Sequence, residues 1–200
     1  MSAQNRLLLL APGAGAPSSS GWMRAQKTRL EALGRVESFD YPYQLAGRKS
    51  PDRQPVLVEA HVAALARASA GDSGPKVLVG KSMGGRIGCH VAVKLGAEIA
   101  ALVCLGYPLV GQRGDVRDAV LLELERPILF VQGTRDTLCP LERLKSLLPH
   151  LRAPYALHVV EGGDHSLVVG KRELAARAET QAAIDDGVTR AIAKFLDEHA

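Results

Sequence analysis

The sequence predicts an α/β fold built on a single, mostly parallel sheet of about six strands flanked by helices. Two observations predict it. Short apolar runs of strand length alternate along the chain with longer stretches of helical periodicity, which is the pattern of parallel strands joined by crossover helices. A chain of 200 residues, 46% hydrophobic and 23% charged, can bury one core without disulfides or metals. Residues 1–200 are therefore read as one domain, with no internal repeat and no linker.

The strands expected in order are Leu7 to Ala11, Val36 to Tyr41, Lys76 to Gly80, Ala100 to Gly106, Ile128 to Gly133 and Tyr155 to Val160. Between them, Ser20 to Leu33 opens on serines suited to an N-cap and closes before Gly34. Pro55 to Ala70 carries an apolar face at Val58, Val62 and Leu65, and Met83 to Leu95 and Leu141 to Leu148 follow as helices. The C-terminal helix places Ile184, Val188, Ile192 and Phe195 on one face. Loops are expected at Pro12 to Ser19, Pro42 to Gln54 and Gly111 to Asp118. The connection from Tyr107 to Pro127 has room for one short helix at Ala119 to Leu124, and so for no cap domain.

The formal charge is +4, and the basic residues are scattered, neither forming a tract nor alternating with aromatics. A nucleic-acid partner is not expected. Cys89, Cys104 and Cys139 lack metal-ligand spacing, and the first two sit in apolar runs, a usage that suits a reducing cytoplasm. Arg6, Leu7 to Leu10 and Ala14-Gly15-Ala16 superficially imitate a signal peptide. The apolar run meets Pro12 and Gly13 too early for an h-region, and nothing elsewhere approaches a membrane span. Cytoplasmic localisation and no membrane partner are the expectation.

The chemistry concentrates at Gly80-Lys81-Ser82-Met83-Gly84-Gly85. This satisfies G-x-S-x-G between a strand and a helix, the setting of a nucleophile elbow. Such a turn strains the serine backbone and needs flanking glycines so that strand and helix pack without Cβ clashes. The bland alternative is a glycine-rich connection with a serine N-cap. A P-loop reading of Gly80-Lys81-Ser82 fails, because position 75 is Pro and Lys76 to Val79 is strand, not a phosphate cradle.

An acid and a histidine then follow in the order expected of a serine hydrolase. Asp136 comes after the strand at Ile128 and His165 after the strand at Tyr155, each beyond a strand's C-terminal end. Ser82, Asp136 and His165 are the predicted catalytic residues. Asp115, Asp118 and Asp164 are the fallback acids. A metal site at His158, Glu161, Asp164 and His165 is disfavoured, since strand alternation turns His158 away from the loop. No metal and no cofactor are expected. The oxyanion donors are the backbone N–H groups of Met83 and of Ala14, in the small-residue loop Gly13-Ala14-Gly15. Tyr43, Tyr107 and Leu109 are the predicted substrate-binding residues, with Trp22 and Met23 as further candidate walls.

Several segments carry a wider resemblance: Pro-Gly-Ala-Gly at 12–15, Phe39 to Tyr43, Gly80 to Arg86, Leu105-Gly106-Tyr107-Pro108-Leu109, Gln132 to Asp136 and Gly163-Asp164-His165-Ser166. Together they resemble predicted α/β-hydrolases related to dienelactone hydrolases, a group that includes testis-expressed protein 30 and the hydrolase-like region of a nonspecific lethal acetyltransferase complex subunit. The resemblance implies the α/β-hydrolase fold and carries the triad onto Ser82, Asp136 and His165. Pro12 departs from the pattern, because many relatives place His before the Gly-Ala-Gly turn.

The expected function is a serine hydrolase, carboxylesterase-like, acting on a small-molecule acyl ester or thioester through an acyl-enzyme. The alternative is a hydrolase-fold scaffold with little or no catalytic activity. A drifting scaffold would be expected to lose at least one triad residue, and this chain keeps three. The sequence specifies no oligomeric state.

Overall fold

The computed structural model describes residues 5–111 and 114–200. Six strands form one sheet in the order β2-β1-β3-β4-β5-β6: β1 (Leu7–Ala11), β2 (Arg35–Ser38), β3 (Lys76–Lys81), β4 (Ala101–Leu105), β5 (Ile128–Gly133) and β6 (Tyr155–Val160). Every pairing is parallel. β1, β4 and β5 are buried at every position, as expected of strands covered on both faces.

The alternation of side chains along each strand sorts the core into two layers. Leu7, Leu9, Leu78, Leu102, Cys104 and Phe130 lie on one face, with Ala64 and Leu65 of α3 (Gln54–Ala68) and Cys89, Val91 and Ala92 of α4 (Met83–Leu95). Leu8, Leu10, Val77, Val79, Val103 and Val131 lie on the other, covered by α1 (Gly21–Leu30) and α8 (Gln181–His199). Ser20 caps α1 as expected, accepting from the Met23 N–H, and Thr180 caps α8. The predicted stripe of α8 packs inward, with Val188, Ile192 and Phe195 buried. Cys89, Cys104 and Cys139 are all buried free thiols.

Several bounds shift by one to three residues, and three differences stand out. β2 ends at Ser38, and Phe39 and Tyr41 leave the sheet to pack around His61 of α3, with the Tyr41 and His61 rings 6.1 Å apart and the Tyr41 hydroxyl 3.1 Å from His61 Nδ1. The apolar character of that run serves burial, not strand pairing. The expected loop at Pro42 contains a single helical turn, α2 (Pro42–Leu45), started by Pro at its first position. A short helix, α7 (Lys171–Ala176), follows β6 without a buried residue, so it leaves no apolar periodicity to read. α6 (Leu141–Leu147) lies close to its expected bounds. Between β4 and β5 the described residues hold only the five-residue helix α5 (Ala119–Glu123), with no cap domain; of the loop expected at 111–118, residues 112–113 lie outside the described residues.

Candidate active site

The C-terminal ends of β3, β5 and β6 converge. Ser82 follows β3 directly and adopts φ 49° and ψ −114°, a region that L-residues occupy at a cost of order 1–3 kcal/mol. The turn is held by contacts on both sides. The Ser82 N–H donates to the Leu105 carbonyl at 3.1 Å, and the Ser82 carbonyl accepts the Arg86 N–H at 3.1 Å. A Cβ at Gly80 would lie 2.2 Å from the Gly85 nitrogen, and one at Gly84 would lie 2.6 Å from the carbonyl oxygens of Ala11 and Pro12. Strand, helix and the β1 loop therefore approach more closely than any side chain permits.

Beyond β6, the loop from Glu161 brings His165 back over the rim. His165 Nε2 lies 2.8 Å from Ser82 Oγ, and His165 Nδ1 lies 2.8 Å from Asp136 Oδ2. The Asp136 carboxylate also accepts from Gln132 Nε2 at 2.6 Å and from the Leu138 N–H at 2.9 Å. Burial alone would raise its pKa. The hydrogen bonds from His165, Gln132 and Leu138, with the histidine's charge, outweigh burial and hold the carboxyl below the usual range. Gln132 is fully buried and also accepts the Tyr107 N–H at 3.2 Å, so it ties the acid to the end of β4.

The fallback acids take other parts. Asp164 folds the histidine loop, its Oδ1 accepting from the Ser166 and Val168 N–H groups at 2.7 and 3.0 Å. Asp115 pairs with Arg117 at 3.0 Å, and Asp118 precedes α5.

Two further side chains pin the histidine loop, and neither role is legible in the sequence. Lys81 donates its Nζ to the His165 carbonyl and stands 5.5 Å from the Trp22 ring centre. Burial pushes its pKa down to about 8, against the pull of Asp136 and Asp164. Trp22 Nε1 donates to the Ser166 carbonyl at 2.9 Å. Both hydrogen bonds span more than eighty residues of sequence, so no local motif announces them.

Two open clefts flank Ser82. One, of about 350 Å³, is lined by Gly13, Trp22, Met23, Lys81 and His165; the other, of about 410 Å³, by Met83, Arg86, Val110, Arg117 and Leu138. Ala14 borders both. Met83 opens α4, so its N–H has no acceptor within the helix.

The predicted substrate-binding residues need correction. Tyr107 and Leu109 are 0% and 1% exposed and belong to the core beneath the rim, where Tyr107 stacks edge-on against Phe130. Tyr43 is 1% exposed and donates its hydroxyl to the Ala14 carbonyl at 2.9 Å. The large apolar surfaces of all three favour the interior over an open rim, although Tyr43 also borders a cleft shared with Ala14. Trp22 and Met23 do stand at a cleft wall, although Met23 is itself largely buried.

A family model for an alpha/beta hydrolase domain matches residues 4–196. The chain belongs to that family. Among solved structures, an alpha-beta serine hydrolase homologue from Coxiella burnetii superposes with a TM-score of 0.71 at 18% identity, over 96% of this chain and 85% of that one. Dienelactone hydrolase from Anabaena variabilis gives 0.73 at 16% identity, over 98% and 87%. Est1E from Butyrivibrio proteoclasticus, solved with ferulic acid bound, gives 0.67 at 16% identity, over 98% and 90%. At these identities the likeness is one of fold. Among the described residues of this alpha/beta hydrolase, no helix is long and apolar enough to cross a membrane.

Proposed function

We propose that the 200 residues act as one catalytic domain, a carboxylesterase-like serine hydrolase for small acyl esters or thioesters. The observation that carries this reading is the unbroken chain from Ser82 Oγ through His165 to Asp136, with 2.8 Å at each step.

His165 Nε2 takes the Ser82 proton as Oγ attacks the acyl carbon, while Asp136 fixes the imidazole tautomer and stabilises the imidazolium. The oxyanion of the tetrahedral intermediate is received by the Met83 and Ala14 N–H groups. His165 then protonates the departing alcohol or thiol, leaving an acyl-serine. Water activated by the same histidine releases the acid and restores Ser82. The open clefts and the short β4 to β5 connection suit small acyl groups over long chains.

A fluorophosphonate tests the reading, because it reacts with an activated serine and not with an ordinary surface hydroxyl. Stoichiometric modification of Ser82 is expected, and Ser82→Ala should abolish both labelling and ester turnover. Labelling that survives in Ser82→Ala, or its absence from the native protein, would overturn the assignment.

A further inference from the structure

The two clefts beside Ser82 differ in chemistry, and the difference bears on the substrate. His165 lines the cleft of about 350 Å³ along with Trp22 and Met23. The departing oxygen or sulfur must accept a proton from His165 Nε2, so the leaving group occupies this apolar side. The acyl chain is directed into the other cleft, of about 410 Å³, which contains Arg86 and Arg117.

Arg86 is an unusual residue to find there. It stands one helical turn beyond Ser82 on α4, half-buried, and its side-chain hydrogen bond goes to the neutral Gln54 Oε1 at 3.0 Å. Its Nε is buried with no partner among the described residues. Burial works against its charge, and the like charge of Arg117 works against it further. A guanidinium does not lose its proton in a protein, so it keeps this charge, and no carboxylate among the described residues forms an ion pair with it. Of the two carboxylates on the same cleft, Asp52 bonds Arg48 through Oδ1 at 2.7 Å while its Oδ2 is buried with no hydrogen-bond partner among the described residues, and Asp115 bonds Arg117 at 3.0 Å; neither forms an ion pair with Arg86 among the described residues. An uncompensated, partly desolvated cation is costly in a folded chain, and an anion entering the cleft removes that cost.

We infer that Arg86, supported by Arg117, binds an anionic group at the far end of the acyl chain, so that the substrate is a half-ester or half-thioester of a short dicarboxylic acid. The inference rests on the serine-hydrolase reading and deepens it. Ser82 and Arg86 line the same cleft four residues apart, a separation of about one helical turn, which suits a short acyl chain between the attacked carbonyl and the carboxylate. The planar guanidinium offers two parallel donors to that carboxylate.

The test compares two amides that serine esterases cleave poorly and that differ only at one end: glutaramate, which carries the carboxylate, and pentanamide, which has a methyl there. Each is used to slow fluorophosphonate labelling of Ser82 in the intact protein. Glutaramate should protect at a concentration about tenfold or more below that of pentanamide. The ratio should fall toward one in Arg86→Gln, be partly kept in Arg86→Lys, and shrink in Arg117→Gln. Because the ratio is taken within each variant, a change in intrinsic labelling rate does not enter it, and Arg117→Gln provides the test if Arg86→Gln does not fold.

Equal protection by the two amides, or a glutaramate advantage that persists when both arginines are replaced, overturns the inference and leaves the hydrolase reading standing. Failure of Ser82 to label in the native protein removes the hydrolase reading itself, and the inference with it.

Discussion

A cleft of about 750 Å³ lies away from Ser82, beside β2 and the last turn of α3, where the chain enters the strands. It is lined by Asn5, Arg6, Arg35, Glu37, Arg67 and Asp72. Its charges are largely matched: Arg35 bonds Glu37 at 3.1 Å and Asp72 at 2.7 Å, and Arg6 bonds Asp197 at 2.8 Å and the carbonyls of Leu196 and Ala200. At the opposite rim the clefts are smaller, yet there the backbone of Ser82 is strained and Lys81, Gln132 and Asp136 are buried polar groups. If the reaction runs at Ser82, volume does not locate the chemistry in this protein. The feature that sets this rim apart is a strained serine beside a buried carboxylate, a cost that packing alone does not explain.

The comparison breaks first at Asp136. If the rim with the strained backbone is the active one, Asp136→Asn should lower kcat by on the order of 10⁴, the loss that serine proteases suffer when the acid orienting their histidine becomes an amide. Near-native turnover in Asp136→Asn, with loss in Asp164→Asn instead, would move the role to the neighbouring loop. Steady-state kinetics on a short ester decides it.

Gln132 is the next largest effect. Gln132→Leu leaves the Tyr107 N–H without its acceptor and removes a donor from Asp136. Unfolding in denaturant should report a loss of about 1–3 kcal/mol, the cost of buried unsatisfied groups, accompanied by a smaller fall in kcat than in Asp136→Asn.

Lys81 sharpens the comparison through pH. Its folded pKa, about 8, lies below the value of 10.5 for a free lysine, so between these values the unfolded chain binds more protons than the folded one. Stability relative to Lys81→Met should therefore be lowest below about pH 8 and should rise as the pH climbs toward 10.5. Denaturation midpoints of the two proteins that run parallel across that interval would show that the fold does not disfavour the charge on Lys81. The smallest effect belongs to the other end of the sheet. Arg35→Gln breaks two exposed ion pairs and should change neither ester turnover nor, resolvably, the unfolding midpoint. A loss of turnover there would mean that the large cleft takes part in the reaction.

How far the sequence reveals this architecture depends on the reach of each interaction. The inner strands announce themselves because a doubly covered strand must be apolar almost throughout, as Leu7–Ala11 and Ile128–Gly133 are, whereas the edge strand Arg35–Ser38 buries only Val36. Ser82 is legible because an elbow demands glycines at fixed offsets, and Asp136 and His165 because they follow strands in a recognisable order. Tyr43, Tyr107 and Leu109 mislead, since a large apolar side chain near a motif is equally suited to the wall or to the interior, and only packing sends these three inward. Lys81 resembles half of a phosphate-binding motif, whereas its partners are the His165 carbonyl and the Trp22 ring. Such contacts close only when distant loops meet, and no spacing along the chain encodes them.

The parallel pairing of β3, β4, β5 and β6 gives the site one further property. Ser82, Asp136 and His165 hang from three strands of one ladder, with β4 between the first and second. Slipping one strand by a single residue shifts everything beyond it by about 3.3 Å, more than the length of either hydrogen bond at His165, and also turns the strand's buried face outward. The reactive constellation thus acts as a gauge of assembly: it can read correct only after every strand has found its place. During refolding, competence to react with a fluorophosphonate should consequently appear with the final ordering of the sheet, later than the backbone signal of its helices, and a misassembled chain would declare itself by silence.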